Sequence, residues 1–381
     1  MNFDLNEDHL MVQEMVQKFA AQEVAPKAAY YDRTTEFPWE TIKKMAELNL
    51  LAISTPEEYG GAGLDAISYA IVIEELSKAC ASTGVIAAVH NTLAQLPIYT
   101  WGNEEQKKKY LPPLAEGKIV GAYALSEASA GSDAASLQTT AKRDGDYYIL
   151  NGSKVFITNA IAAGLFIAYA TLNKEQGAKA ITAFIIEKDF PGFKVGRHEE
   201  MMGVRASGTC ELVFENCKVP VANRLGEEGG GFKIALATLD SGRVSIGAQA
   251  VGIASAALEA SIKYAQERHQ FGQPIANFQL IQEKLVQMAV DIDAARLLVY
   301  KASYLKDQGK PFTKEASMAK LFASKIAVQA GIEAVQIFGG YGYTKEYPVE
   351  RHMRDAKITE IYEGTSEVQK MVIARKLLGG T

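Results

Sequence analysis

The hydrophobic period of this chain changes twice, and those two changes constrain its fold more than any other feature. From the N-terminus to about residue 118 apolar residues recur every three or four positions, and from about 119 to 228 they fall into short β-branched or aromatic runs. From 229 onward the helical period returns and holds. Helices on either side of a block of strands predict an α+β protein in three packed parts: an N-terminal helical domain over 1–118, a β domain over 119–228 and a C-terminal four-helix-bundle domain over 229–381.

Each part carries its own local signals. Met11, Met15 and Phe19, with Val12 and Val16, form a stripe that stops before Pro26, and Pro38 opens a second helix with Ile42, Met45 and Leu48; both stripes are expected in the core. Residues 66–76 and 84–96 predict further helices, the second kinked at Pro97, and Asn103 with Gln106 predicts a capped helix start. Gly61 to Ala66 match G-x-G-x-x-A, yet Pro56 and two glutamates separate these glycines from the apolar residues 50–53, so no strand feeds a Rossmann turn. In the middle part, runs at 123–125, 137–142, 147–150, 154–157, 166–171, 180–186 and 211–214 are separated by turn residues, with a hairpin at 143–146. No helical pattern lies between them, which predicts an antiparallel sheet or barrel. Residues 246–260 are rich in Ala and Gly, so helices can approach closely there, and amphipathic segments follow near 280–306, 315–338 and 366–378.

Charge and cysteine usage narrow the function. The net charge of −5 and the lack of a basic face argue against nucleic acid or an anionic membrane as partner. Asp4, Glu7, Asp8 and Glu14 interrupt the first twenty residues, which therefore read as neither signal nor transit peptide, and a cytoplasmic location is expected. Apolar runs such as 66–73 and 164–170 are too short to cross a bilayer. Cys80, Cys210 and Cys217 contain no CxxC pair and are odd in number, as in a reducing compartment. His198 to Met202 opens like a zinc-protease helix but lacks the second ligand, and no metal is expected.

The chemistry is concentrated in residues 351–367. A helical run ends near Tyr362, Gly364 frees the backbone, and Thr365 or Ser366 can cap the next helix, which leaves Glu363 on a connector. Locally this is either an exposed acid beside a turn or a general base held between two rigid elements.

Three stretches together resemble the acyl-CoA dehydrogenase family: Tyr123-Ala124-Leu125-Ser126-Glu127-Ala128-Ser129-Ala130-Gly131-Ser132-Asp133, Arg268-His269-Gln270-Phe271-Gly272, and 336–343 leading into Ile361-Tyr362-Glu363-Gly364-Thr365. The resemblance runs from residue 3 to about 378 and implies a helical, β, helical fold binding FAD. It implies that Tyr123, Leu125, Ser126, Gly131, Ser132, Phe156, Thr158, Thr365 and Glu367 border that FAD, with Phe156 standing where many relatives have tryptophan. It implies too that Arg268, Gln270, Phe271, Gln279, Gln336, Gly339 and Gly340 reach the FAD of a neighbouring subunit, hence a homotetramer built as a dimer of dimers. A guanidinium suits the pyrophosphate because it donates two parallel hydrogen bonds, although Arg268 alone reads equally as a solvated helix-end residue.

By the same resemblance Ser132, Asp240, Arg243, Tyr362, Glu363 and Gly364 contact an acyl-CoA substrate, and Glu363 removes its α-proton while a hydride leaves the β-carbon for the flavin. Without the family, Asp240 and Arg243 are an ion pair at i, i+3 on a helix surface. Branched-chain relatives place their base at the position of Gly242 and a glycine at that of Glu363, so this chain is similar to the short- and medium-chain type. The segment 89–93 and Leu239-Asp240-Ser241-Gly242-Arg243 are nearest the short-chain, butyryl-CoA enzymes, with electron-transfer flavoprotein as the expected acceptor. A medium-chain or alicyclic acyl-CoA, a physiological enoyl-CoA reductase, and a catalytically silent flavin-binding scaffold are the alternatives.

Overall fold

The computed structural model describes residues 4–379, so the outermost ends of the first and last expected domains lie outside the described residues. The N-terminal part holds helices α1 (Glu7–Phe19), α2 (Ala25–Thr34), α3 (Trp39–Glu47), α4 (Ala66–Ala79), α5 (Ala81–Ala88), α6 (Leu96–Trp101) and α7 (Glu104–Ala115). Asn6 caps α1 by accepting the His9 amide at 2.8 Å, and Asn103 and Gln106 satisfy each other's backbone at the start of α7. The two expected stripes are only partly core. Val16, Phe19, Ile42 and Met45 are buried, but Met11 is 64% exposed and Leu48 40% exposed. The buried line of α1 passes through Val16 and Phe19, which leaves Met11 off that face, and Leu48 is the non-helical cap after α3.

The helical chain is not broken at Pro97, and the irregularity between α5 and α6 comes before it. Residues 89–95 form a π-helical stretch, and Pro97 sits harmlessly in the first turn of α6. Side chains bond carbonyls of the turn before this stretch, Asn91 Nδ2 donating to Ala87 at 3.0 Å and Thr92 Oγ1 to Ala88 at 2.7 Å, while Asn91 Nδ2 also donates to the distant Leu50 carbonyl at 3.2 Å.

The β domain contains β1 (Val120–Ala124), β2 (Thr140–Asp144), β3 (Tyr147–Ile157), β4 (Ala163–Thr171), β5 (Ile181–Glu187), β6 (Phe193–His198), β7 (Cys210–Pro220) and β8 (Arg224–Leu225). Its order is β6-β7-β3-β2-β4-β5-β8, antiparallel apart from β1, which runs parallel to β4, and one parallel bridge between Thr140 and Thr171. The parallel pairing went unforeseen because the β2–β3 hairpin, not a helix, lies within the connection between those strands. The expected strands at 147–150 and 154–157 are one continuous strand, which bends at Gly152 (φ 145°) where its register with β7 shifts. Edge strand β6 carries Lys194, Gly196 and Arg197 and escapes a hydrophobic pattern search. It ends at His198, so the residues that resemble a zinc-protease helix are not helical.

The C-terminal part comprises α8 (Gly231–Glu267), α9 (Gln279–Asp307), α10 (Thr313–Phe338), α11 (Val349–Ile358) and α12 (Ser366–Leu377). Helix α8 is long and apolar enough to span a membrane, but its most apolar window is 72% buried inside the protein. Its small residues let α4 and α10 pack closely against it: a Cβ at Gly252 would lie 2.2 Å from the Glu74 carbonyl oxygen. The core helix thereby carries residues 239–245 to the junction of all three parts.

Candidate active site

Helices α11 and α12 are joined by a turn in which Glu363 and Gly364 both adopt positive φ, 52° and 95°. The left-handed region costs a side-chain-bearing residue roughly 1–3 kcal/mol and persists only where its surroundings enforce it, as they do here. The Gly364 carbonyl accepts from Lys320 Nζ at 2.8 Å and from Gln369 Nε2 at 2.9 Å, the Glu363 carbonyl accepts from Gln369 at 3.3 Å, and Thr365 Oγ1 caps α12 by accepting the Val368 amide at 3.3 Å. Backbone hydrogen bonds in this turn are donated by Thr359, Glu360, Ile361, Tyr362 and Ser366, and among the described residues the Glu363 amide donates none.

The Glu363 side chain points inward. A Cβ built on Gly242 of α8 would lie 1.9 Å from Glu363 Oε2 and 3.0 Å from Leu93 Cδ2, so the carboxylate occupies the hollow that this glycine leaves. Glu363 Oε2 is buried and has no hydrogen-bond partner among the described residues. Burial pushes the acid up to about 8, against the pull of Lys320 and Arg243. Arg243 is 4% exposed and donates to Asp240 Oδ1 at 2.6 Å, so a buried guanidinium meets a half-buried carboxylate rather than an ion pair lying on a helix surface; the Arg243 Nε has no partner among the described residues. Asp240 Oδ2 accepts from Thr313 at 2.5 Å. Tyr362 is bonded to Gln249 Oε1, and Gln249 donates to the Ala81 carbonyl at 3.0 Å, which locks the residue before Glu363.

Beyond Gly242 a chain of hydroxyls closes the hollow. Ser245 Oγ lies 2.8 Å from Tyr69 Oη and 3.3 Å from Thr92 Oγ1. Tyr69 and Thr92 also line a cavity of only about 30 Å³, roughly a water or two. His90 has a structural place: its Nδ1 accepts the Gly121 amide at 3.0 Å, its Nε2 bonds the Leu114 carbonyl, and burial pulls its pKa down to about 4.

A second cluster lies on the β domain. Phe156 is 63% exposed and sits at φ 59°, presenting an uncovered ring, while Tyr123 Oη reaches the Ala235 carbonyl of α8 at 3.4 Å. The Ser126 carbonyl accepts the Val155 amide at 3.0 Å. A buried ion pair that sequence reasoning missed fixes the 125–127 segment on β3: Lys154 Nζ lies 2.7 Å from Glu127 Oε1 and 3.1 Å from the Leu125 carbonyl, and Glu127 accepts the amides of Gln138 and Thr139. Gly131 and Ser132 are exposed.

Arg268, Gln270, Gly339 and Gly340 form a third cluster with Tyr264, Phe338 and Tyr341, around an open cleft of about 490 Å³ in which Arg268 stacks over the Tyr341 ring at 5.5 Å. Phe271 projects with 94% exposure, and Gln279 and Gln336 are exposed on their helices. Thr365 and Glu367 line a separate groove with Met318 and Phe322. No hydrogen bond or ion pair among the described residues joins the Arg268 cluster to the 123–158 cluster. Lys320 and Gln369, which bind the Glu363–Gly364 turn, also escaped the sequence reading. The signal for Lys320 was present: it is the one charged residue among the buried positions of α10, amid Ala316, Ala319, Ala323 and Ala327.

Family models described as acyl-CoA dehydrogenase N-terminal, middle and C-terminal domains match residues 6–118, 122–217 and 229–378. A short-chain specific acyl-CoA dehydrogenase of Clostridium acetobutylicum is 52% identical over 99% of this chain and 100% of its own length. The butyryl-CoA dehydrogenase structure from Megasphaera elsdenii superposes with a TM-score of 0.97 at 47% identity, covering 99% of this chain and 100% of that one. A chain from a structure described as the electron transferring flavoprotein of Acidaminococcus fermentans superposes at 0.98 with 51% identity, covering 99% and 100%.

Proposed function

This chain belongs to the acyl-CoA dehydrogenase family, and from that premise we propose that it oxidises a short-chain acyl-CoA to the trans-2-enoyl-CoA, with Glu363 as the α-proton base and FAD as cofactor. The observation that carries the reading is Glu363 Oε2, buried and without a hydrogen-bond partner among the described residues, on an enforced left-handed turn. Its raised proton affinity suits a base working near neutral pH.

The residues present fit FAD. The exposed Phe156 ring and the glycine-bearing 125–132 segment make an open, partly apolar platform, and the Arg268 cleft adds a cation beside Gly339 and Gly340, where a Cβ would meet nothing within 4 Å. Bound FAD supplies the two-electron acceptor that no side chain can provide. The chain's own residues do the rest. The Glu363 carboxylate takes the α-proton, and its undonated amide is the candidate hydrogen-bond donor to the thioester carbonyl, stabilising negative charge that develops on that oxygen. Arg243, held by Asp240, adds a buried positive charge beside the base.

Because the two FAD-type clusters of one chain are not joined, we assign the Arg268 cluster to the FAD of a neighbouring copy in a homotetramer. Purified protein is therefore expected to be yellow and to release FAD on denaturation; release of FMN alone sinks the pyrophosphate role of Arg268. Arg268→Ala is expected to weaken FAD binding by ~1.5–3 kcal/mol with the helical content unchanged. A monomer with full FAD occupancy by light scattering and absorbance contradicts the assignment.

The hydroxyl floor formed by Tyr69, Thr92 and Ser245 and the small space behind it favour a short acyl chain. Anaerobic bleaching should be fastest with butyryl-CoA, and a faster reaction with octanoyl- or cyclohexanecarboxyl-CoA overturns the chain-length reading. The C. acetobutylicum and M. elsdenii relatives support it, and the A. fermentans structure supports an electron-transfer flavoprotein as acceptor.

A further inference from the structure

Lys320 is fully buried in α10, and its Nζ bonds a neutral carbonyl, that of Gly364, at 2.8 Å. Burying an ammonium without a carboxylate in direct contact is expensive. A neutral donor already serves the same oxygen, since Gln369 Nε2 lies 2.9 Å away, so filling a hydrogen bond does not account for a cation there. Helix α10 grips the turn at both ends: Ser324 Oγ donates to the Thr359 carbonyl at 2.8 Å while Lys320 holds that of Gly364. Between these two contacts lies Glu363.

We propose that Lys320 is a positioning residue for proton abstraction: it holds the Glu363–Gly364 turn in its left-handed form, and its positive charge keeps the neighbouring carboxylate available as a base. The inference rests on the reading of Glu363 as that base. The charged and titratable groups around the pair are Arg243 with its partner Asp240 on α8, Glu360 and Glu367 on either side of the turn, and the hydroxyls of Tyr69, Tyr123 and Tyr362. Among them only Lys320 and Arg243 are cations, and both lower the proton affinity of Glu363. Burial draws Lys320 itself down to about 8, with Glu363 acting to raise it.

The sign follows directly. Removing a cation raises the pKa of a nearby acid, so the base is ionised only at higher pH. In Lys320→Gln, which retains a neutral donor, the acid limb of the kcat/KM profile with butyryl-CoA should move up by about one pH unit or more, lowering the rate near pH 7 about tenfold. Raising the pH to about 9.5, where wild type has lost the charge too, should bring the two enzymes together. Lys320→Met should show the same limb shift and stay slow at high pH, because the turn also loses a donor. Gln369→Leu removes the neutral half of the grip and should lower kcat with the limb unmoved; it keeps the test open if neutral residues at 320 prevent folding. An unmoved limb in Lys320→Gln overturns the inference, as does an equal limb shift in Gln369→Leu or wild-type kcat in that variant. Failure of the base assignment is seen separately, as retained flavin reduction in Glu363→Gln.

Discussion

Glu363→Gln is expected to leave FAD and acyl-CoA bound while slowing flavin reduction by at least ~10²–10⁴-fold, the range for loss of a general base. Glutamine keeps the size of the side chain and can occupy the hollow beside Gly242, so the left-handed turn and its Lys320 and Gln369 contacts should survive. Only basicity is lost. A second signature is pH dependence. The wild-type carboxyl is pushed up to about 8, and the reactive form is the deprotonated one, so kcat/KM should rise about tenfold per pH unit below that value and level off above it. The variant should lack that limb. Anaerobic stopped-flow reduction with butyryl-CoA is the measurement, and a rate within about threefold of wild type would remove Glu363 from the mechanism.

Much of this arrangement was legible in the sequence because periodicity reports burial of whole faces. The helical, β, helical order, the connector position of Glu363 and the Asn103–Gln106 cap all follow from local chemistry that tertiary contacts leave intact. What escaped was set by neighbours far along the chain. The π-helical stretch at 89–95 depends on Asn91 bonding the Leu50 carbonyl and the Ile53 amide, and residues 50–53 give no local sign of that partner. The parallel pairing of β1 with β4 is a matter of topology that no strand's own composition encodes. Phe156 reads as an ordinary strand residue until its φ of 59° and its exposure show a ring turned out of the sheet. The buried pair Lys154–Glu127 hides among alternating polar positions, since a charge in a strand is by default assigned to solvent. The motifs singled out Glu363; only the packing around Gly242 and Lys320 shows how Oε2 of its carboxylate is kept buried.

Gly242→Ala puts that packing to the severest test, because two effects of opposite sign meet at one atom. Within a helix, replacing glycine by alanine ordinarily stabilises by about 0.5–1 kcal/mol, and α8 continues for many residues on either side of 242. Here the new methyl group would lie 1.9 Å from Glu363 Oε2 and 2.9 Å from its Cδ, far inside any tolerable contact. Overpacking a filled site costs roughly 1–3 kcal/mol, so the usual gain is expected to be cancelled or reversed. The clash falls on the end of a side chain, which can swing aside, so the protein should fold and bind FAD. The carboxylate must nevertheless move by more than an ångström to escape, and misplacing a reacting group by about that much costs on the order of 10²-fold in rate. Flavin reduction should therefore drop about a hundredfold with no rise in Tm. If the loss arises through the base, it should almost vanish when Gly242→Ala is made in the Glu363→Gln background, because two changes that disable one group do not add. An additive loss in that double variant would mean that Gly242 serves the acyl chain directly, and a near wild-type rate in the single variant would show that the base does not work from the hollow it occupies here.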